Sequence, residues 1–324
     1  MVRAIRIHEY GGPEVMRWEE VDVGAPGPGQ VRLAQRAVGL NYIDTYHRTG
    51  AYKIPALPGV IGMEGCGEVT AVGSGVIDLA VGDRVAYANP IGAYAEERLI
   101  PAERVVKVPE AIADQTAAAM MLQGMTARYL LLETFKVGPG TTLLFHAAAG
   151  GVGLIVCQWA RHLGATIIGT VGSAEKGELA KANGCTHVIN YRTENFVERV
   201  KEITGGKGCD VVYDGIGKDT FPGSLDCLRP MGMWVSFGSA SGPVANFDIG
   251  ILAAKGSLFA TRPTLLTYTA SRAQLVANAG DLMDVVGRGI VNIHVDQTYP
   301  LSEAAQAHRD LEGRKTTGST VLLP

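Results

Sequence analysis

Thr142-Leu143-Leu144-Phe145-His146-Ala147-Ala148-Ala149-Gly150-Gly151-Val152-Gly153 is the stretch on which the fold turns. Its apolar and β-branched start predicts a strand over Thr142 to Ala147. A glycine turn follows, then a helical stretch within Gly150 to Leu163 and a second apolar strand over Ala165 to Val171. Strand, glycine turn, helix and strand form the setting in which a glycine pattern predicts dinucleotide binding. In G-x-G-x-x-G spacing the three positions are Ala148, Gly150 and Gly153, so the first glycine is replaced by alanine. Gly150 would let the backbone approach a pyrophosphate, and Gly153 would let helix and strand pack closely. Gly151 and Val152 would open the helix whose N-terminus faces the phosphates. The span Thr141 to Ala160 carries no charge, yet its glycines and the strand before them fit this unit better than a membrane helix.

Downstream the alternation continues, with helices over Lys176 to Ala182 and Phe196 to Ile203. Strands are predicted over His187 to Tyr191, Asp210 to Gly215, Met233 to Phe237 and Ser257 to Thr261. Apolar strands separated by helices require a parallel sheet covered on both faces, so residues 125–264 are expected to form a doubly wound Rossmann domain. Upstream the texture is β-rich: Val31 to Val38, Gly67 to Val72, Asp83 to Tyr87 and Ala95 to Ile100 are short β patterns between turn signals. Met1 to His8 alternates apolar and polar residues and reads as a first strand, not a signal peptide. In the tail a helix is expected around Arg272 to Val286, a strand near Val291 to Val295, a helix over Glu303 to Leu311 and a closing strand over Thr320 to Leu323. The tail should pack back on the β-rich part. The expected class is α/β, with domains 1–124 plus 265–324 and 125–264.

Charge and cysteine usage narrow the function classes. Lys and Arg number 29 against 32 Asp and Glu, a net charge of −3, and no basic run is present, which argues against nucleic acid as the main partner. The cysteines Cys66, Cys157, Cys185, Cys209 and Cys227 are odd in number and never form a C-x-x-C pair. Neither a disulfide framework nor a local cysteine zinc site follows, and a reducing cytoplasm is the simplest compartment. The 42 glycines predict many tight turns and close backbone approaches.

Cofactor choice is read at the end of the second strand, where an NAD site presents an Asp or Glu to the adenosine 2′-hydroxyl. Gly169-Thr170-Val171-Gly172-Ser173-Ala174 contains no acid. Ser173, Lys176 and Tyr191 offer a hydroxyl, an ammonium and a phenol instead, a set that suits a 2′-phosphate and favours NADPH, with Glu175 partly offsetting the lysine.

The β-rich start, the alanine and glycine turn and the C-terminal return resemble the medium-chain dehydrogenase/reductase superfamily. Within it the chain is similar to the zinc-free NADPH:quinone oxidoreductase (zeta-crystallin-like) branch. The resemblance is carried by residues 39–52 (Gly-Leu-Asn-Tyr-Ile-Asp-Thr-Tyr-His-Arg-Thr-Gly-Ala-Tyr), 58–67 (Pro-Gly-Val-Ile-Gly-Met-Glu-Gly-Cys-Gly), His146 to Gly153 and Thr317-Gly318-Ser319, which together span nearly the whole chain. It implies a GroES-like catalytic domain for the β-rich part and a homodimer joined through the edge strand of the Rossmann sheet. It also implies Asn41, Tyr46 and Tyr52 as substrate-site groups and Thr126 at the nicotinamide end of the cofactor. Phe237, Gly238 and Ser239 follow a strand C-terminus, where open α/β sheets bind ligands.

Zinc alcohol dehydrogenases of the superfamily carry a Cys where this chain has Asn41 and a Gly-His-Glu where it has Gly62-Met63-Glu64. A thioether is a poor zinc ligand, so no zinc is expected, and Glu64 reads as a structural carboxylate at a turn. His47 and Cys66 lack an orienting partner in the sequence and read as structural. The expected reaction is direct hydride transfer from C4 of NADPH to a quinone, which spreads the incoming charge over its ring. An amide N–H at Asn41 and phenols at Tyr46 and Tyr52 would stabilise the oxyanion character. An NADPH-dependent enone or enal reductase would use the same groups. A non-catalytic NADPH- or RNA-binding crystallin-like protein is the reading from another class.

Overall fold

The computed structural model describes residues 1–324. The chain divides into two compact units: Met1–Met125 with Thr269–Gly287 and Ile293–Pro324, and Thr126–Tyr268 with Arg288–Asn292.

Strand Gln30–Leu40 is the spine of the first unit. Its alternating burial places Val31 and Leu33 in the core, and its length lets three strands pair with it. Glu64–Val72 runs antiparallel along most of it, Glu97–Pro101 pairs with its first half and Ser319–Leu323 with its last residues. The sheet continues through Arg84–Ala88 to Val106–Lys107 on one side and ends with Val295–Pro300 on the other. A three-stranded sheet of Met16–Val21, Val2–Ile7 and Gly59–Val60 adds Ile5 and Ile7 to a core that also holds Val38, Ile61, Tyr87, Tyr94, Ile100 and Leu322.

The second unit is a six-stranded, all-parallel sheet in the order His187–Asn190, Thr166–Val171, Thr142–Phe145, Cys209–Asp214, Leu228–Ser236, Phe259–Thr261. The chain therefore steps outward from Thr142–Phe145 in one direction, then returns and steps outward in the other. This reversal leaves a crevice at the C-terminal end of that strand, the place where doubly wound sheets take ligands. Leu144, Ile168, Ile189, Val212 and Trp234 are core residues of this unit. The predicted helices appear as Gly151–His162, Ala174–Ala182 and Phe196–Ile203. All five cysteines are buried and unpaired. No helix is long and apolar enough to cross a membrane.

Two elements differ from the sequence-based expectation. The strand expected near Val291–Val295 lies at Val295–Pro300. Gln158 takes both the N–H and the C=O of Asn292 (2.8 and 3.0 Å), so that backbone is satisfied within the second unit and does not enter a ladder. The helix Asp114–Tyr129, continued by a π-helical turn over Leu130–Thr134, falls across a stretch read as β-rich up to residue 124. Its residues Ala117 to Met121 are all buried, so it lacks the one-sided apolar stripe by which a helix is recognised.

Candidate functional site

The glycine turn forms at the crevice of the parallel sheet. Strand Thr142–Phe145 ends, Ala147 takes a left-handed conformation (φ 58°), and Gly150 caps the helix Gly151–His162 in an extended one. A Cβ on Gly153 would stand 2.5 Å from the carbonyl oxygen of Ala147 and 2.6 Å from that of Ala148, so only glycine lets helix and turn approach this closely. At Gly150 a Cβ would meet only the Ala147 oxygen, at 3.3 Å, and the backbone there is otherwise open. Gly151 and Val152 are half-buried in the first helical turn, whose N–H groups lack intrahelical partners. Backbone N–H groups arranged in this way can receive an anionic diphosphate. The alanine in place of the first glycine is accommodated from the next strand: a Cβ on Gly169 would fall 2.6 Å from that of Ala148, which is fully buried. Gly169 thus supplies the space that Ala148 fills.

Ser173 caps the helix Ala174–Ala182, its Oγ accepting from the N–H of Lys176 at 3.3 Å. It also bonds the exposed Glu175, whose carboxyl is held below its ordinary range by that bond first. Tyr191 follows its strand with the ring turned back, so that its hydroxyl would stand 2.6 Å from a Cβ on Gly172. Ser173 and Tyr191 therefore flank Gly172, and Lys176, half-buried, is joined to Ser173 through its backbone N–H, while Tyr191 is exposed. At the next strand end, Phe237 packs on Phe145 (ring centroids 5.6 Å apart), and a Cβ on Gly238 would lie 2.5 Å from the oxygen of Gly215. Arg262, which sequence reasoning missed, pins this turn: its guanidinium donates to the carbonyls of Ser236 (2.9 Å) and Gly238 (2.7 Å) and to Ser239 Oγ (3.1 Å). Thr126 is buried and hydrogen-bonded to Tyr129, whose ring stacks on Tyr268 at 4.4 Å. The residues at these turns fit a dinucleotide.

In the first unit Asn41 is the N-cap of helix Tyr42–Thr49, and its backbone N–H donates to Asp44 at 2.9 Å. Its side chain belongs to a buried chain of amides. Ser319 Oγ donates to Gln123 Oε1 (2.9 Å), Gln123 Nε2 to Asn41 Oδ1 (3.1 Å), and Asn41 Nδ2 to Glu64 Oε2 (2.6 Å). Glu64 Oε1 accepts from the N–H of Leu122 at 2.8 Å. Burial pushes the Glu64 carboxyl up to about 8, against the pull of these bonds. Its two oxygens are thus occupied by N–H donors, and the amide of Asn41 is oriented with its nitrogen toward Glu64. Tyr46 sits edge-on between Tyr42 (5.6 Å) and Tyr52 (5.2 Å), and the N–H of Tyr52 donates to the Tyr46 carbonyl. Tyr46 is half-buried and Tyr52 exposed.

The helix bearing these groups is tied down by Arg48, which is fully buried. It donates to both Glu312 oxygens (2.8 and 2.9 Å), to His308 Nδ1 (3.0 Å) and to the Gly11 carbonyl (3.1 Å). His47 is buried, which lowers its pKa, and Cys66 is a buried thiol pushed up to about 12 by burial first. Neither is poised as base or nucleophile at neutral pH. No three side chains among His, Cys, Asp and Glu are gathered as a metal-binding set, and the Asn41, Met63 and Glu64 positions offer an amide, a thioether and an occupied carboxylate.

Residues 27–110 match the alcohol dehydrogenase GroES-like domain family, and residues 151–277 match the zinc-binding dehydrogenase family. The quinone oxidoreductase of Pseudomonas aeruginosa is 52% identical over 325 residues, covering all of both chains. The 2-haloacrylate reductase of a Burkholderia species is also 52% identical, over all of this chain and 99% of its own. The crystal structure of Escherichia coli quinone oxidoreductase complexed with NADPH superposes with a TM-score of 0.98 at 47% identity, covering 99% of this chain and all of that one. With both halves of the architecture matched and half of the residues identical from end to end, the chain belongs to the medium-chain dehydrogenase/reductase superfamily, in its zinc-free quinone oxidoreductase branch.

Proposed function

We propose that this protein is an NADPH-dependent quinone oxidoreductase in which residues 125–264 bind the cofactor and residues 1–124 with 265–324 supply the substrate groups. Full-length relatives of that name at 52% and 47% identity support the activity. The observation in the structure that carries the reading is a glycine turn at Ala147–Gly153 open to a diphosphate, together with Asn41 and Glu64 joined by a hydrogen bond beside the thioether of Met63, in place of a metal-ligating set.

When bound, NADPH supplies a hydride from its nicotinamide ring. Gly150, Gly151, Val152 and Gly153 receive the diphosphate with backbone N–H groups, with Ala148 beneath them. Ser173, Lys176 and Tyr191 take the 2′-phosphate, the ammonium contributing the charge and the two hydroxyls direction. Thr126 and the Phe237-Gly238-Ser239 turn hold the nicotinamide end. Asn41 has one Nδ2 hydrogen committed to Glu64, and the second donates to a substrate oxygen as negative charge develops there. The phenols of Tyr46 and Tyr52 donate alongside it and pass a proton through water to the reduced product. Two protomers pair through the edge strand Phe259–Thr261, in a cytoplasmic enzyme with no nucleic-acid role.

The 2-haloacrylate reductase relative, as similar as the quinone oxidoreductase, supports a second reading in which the acceptor is a conjugated carbonyl. Chelator-treated protein assayed for NADPH and NADH oxidation against a quinone panel and a conjugated enone separates them. NADPH-selective turnover of quinones is expected. Turnover of the enone alone moves the substrate, and loss of activity on chelation rejects the metal-free scheme.

A further inference from the structure

His146 begins the dinucleotide turn, yet its side chain is 2% exposed and both ring nitrogens are engaged inside the second unit. Nδ1 lies 3.0 Å from Thr170 Oγ1, Nε2 lies 3.0 Å from Ser224 Oγ, and the ring of Phe196 packs edge-on at 5.1 Å. Ser224 Oγ in turn donates to Asp214 Oδ2 at 2.8 Å. Asp214 is fully buried and saturated with donors: the N–H groups of Ile216 and Gly217, the hydroxyls of Thr220 and Ser224, and Trp234 Nε1.

The direction of every proton in this cluster follows. A carboxylate so surrounded stays ionised and only accepts. Burial alone would raise its pKa, but the hydrogen bonds donated by Gly217, Ser224 and Thr220 pull the other way, and the carboxyl lies below its usual range. Ser224 has one proton and commits it to Asp214, so toward His146 it accepts, and Nε2 carries the imidazole hydrogen. Burial lowers the pKa of His146, against the pull of Asp214, and the ring is neutral. Nδ1 is then bare and takes the hydroxyl proton of Thr170. Thr170 Oγ1 is left as an acceptor for the N–H of Ala147, at 3.4 Å. The donors run one way, from Ala147 through Thr170, His146 and Ser224 to Asp214.

Ala147 is where this chain meets the cofactor turn. It is left-handed without being glycine, a conformation L residues avoid unless something holds it. Its carbonyl oxygen is the atom nearest to a Cβ placed on Gly153 or on Gly150. The same aspartate serves the neighbouring strand end, since its backbone carbonyl accepts from the N–H of Phe237 at 2.9 Å. Two candidate cofactor turns thus hang on one buried residue.

We propose that Thr170, His146 and Ser224 form a positioning relay that transmits the Asp214 carboxylate to Ala147 and so holds the dinucleotide turn in its binding shape. None of them is a catalytic residue. The inference rests on the NADPH reading above, and its test separates the two. NADPH dissociation constants are measured by nicotinamide fluorescence on the full chain, alongside melting temperatures, for wild type, Thr170→Val, Thr170→Ser, Ser224→Ala and the Val/Ala double variant. Thr170→Val keeps the shape and removes the hydroxyl. It should weaken NADPH binding about tenfold while kcat at saturating cofactor and the quinone KM stay within about twofold. Thr170→Ser should restore binding. Ser224→Ala reaches the turn only through the His146 ring and should weaken binding as well, with the double variant about as weak as either single one. The relay is rejected if Thr170→Val lowers only the melting temperature, if Val and Ser are equally impaired, or if the two losses simply add. A wild type that does not bind NADPH rejects the nucleotide reading itself, and the relay with it.

Discussion

Lys176 lies one turn into the helix that Ser173 caps and is half-buried. An ammonium placed there discriminates a 2′-phosphate from a hydroxyl. Lys176→Ala should raise the KM for NADPH by about tenfold, the worth of one charge-assisted bond, and leave NADH almost unchanged. Initial rates with both cofactors check it. Glu64 makes a different prediction, on stability. Its carboxyl is shifted from an ordinary 4.5 to about 8, chiefly by burial, so between these values the folded chain keeps a proton that the unfolded chain gives up. Stability from this group therefore falls as pH rises through that window. Asp44, raised to about 7 by burial, acts with the same sign. Glu64→Gln should flatten, without abolishing, the decline in melting temperature from pH 5 to pH 8. It should also lower stability by about 1–3 kcal/mol, because an amide NH2 must face either Asn41 or Leu122. These partnerships were only partly legible in the sequence. The turn residues are consecutive and announce themselves by spacing. Gly169 beneath Ala148, and Arg262 on Ser236, Gly238 and Ser239, join positions more than twenty residues apart, and a single sequence carries no signal for such meetings.

The strand, turn and helix from Thr142 to His162 work as one piece because helix and turn nearly touch at Gly153. A methyl group there stands 2.5 Å from a backbone oxygen, with no flexible side chain to move aside. Gly153→Ala should push the helix N-terminus off the turn and raise the NADPH dissociation constant by well over about tenfold. Fluorescence titration measures this, and unchanged affinity would refute the close-packing role. This element could be read in advance because a short apolar run, a glycine turn, a helix with an apolar side and a second apolar run follow one another in the order that a β-α-β unit requires. Asp114–Tyr129 could not, since a helix buried all round shows no period. The strand Val295–Pro300 was misplaced because the preceding backbone is claimed by Gln158, a side chain from the other end of the fold pattern.

Taken as a whole, the molecule has a charge of −3 and one parallel sheet whose last strand is paired on a single side. Phe259 on that strand is 58% exposed and Ala260 beside it is exposed too. An open edge with an apolar residue on it is a template for a second strand, which is why the proposed homodimer is placed there. Phe259→Lys should shift the sedimentation coefficient from dimer to monomer, and an unchanged value would move the interface elsewhere.

Quinones and conjugated carbonyls are electrophiles that add thiolates readily. Each of the five cysteines is exposed by 5% or less; burial or a neighbouring group pushes the thiols of Cys66, Cys157, Cys209 and Cys227 up, away from the reactive anion, while Cys185, pulled down by its hydrogen bond with Cys157, is shielded by burial alone. A catalyst whose proposed substrates are alkylating agents thus presents no sulfur nucleophile to them, and the packing that builds its core also protects it from its own chemistry.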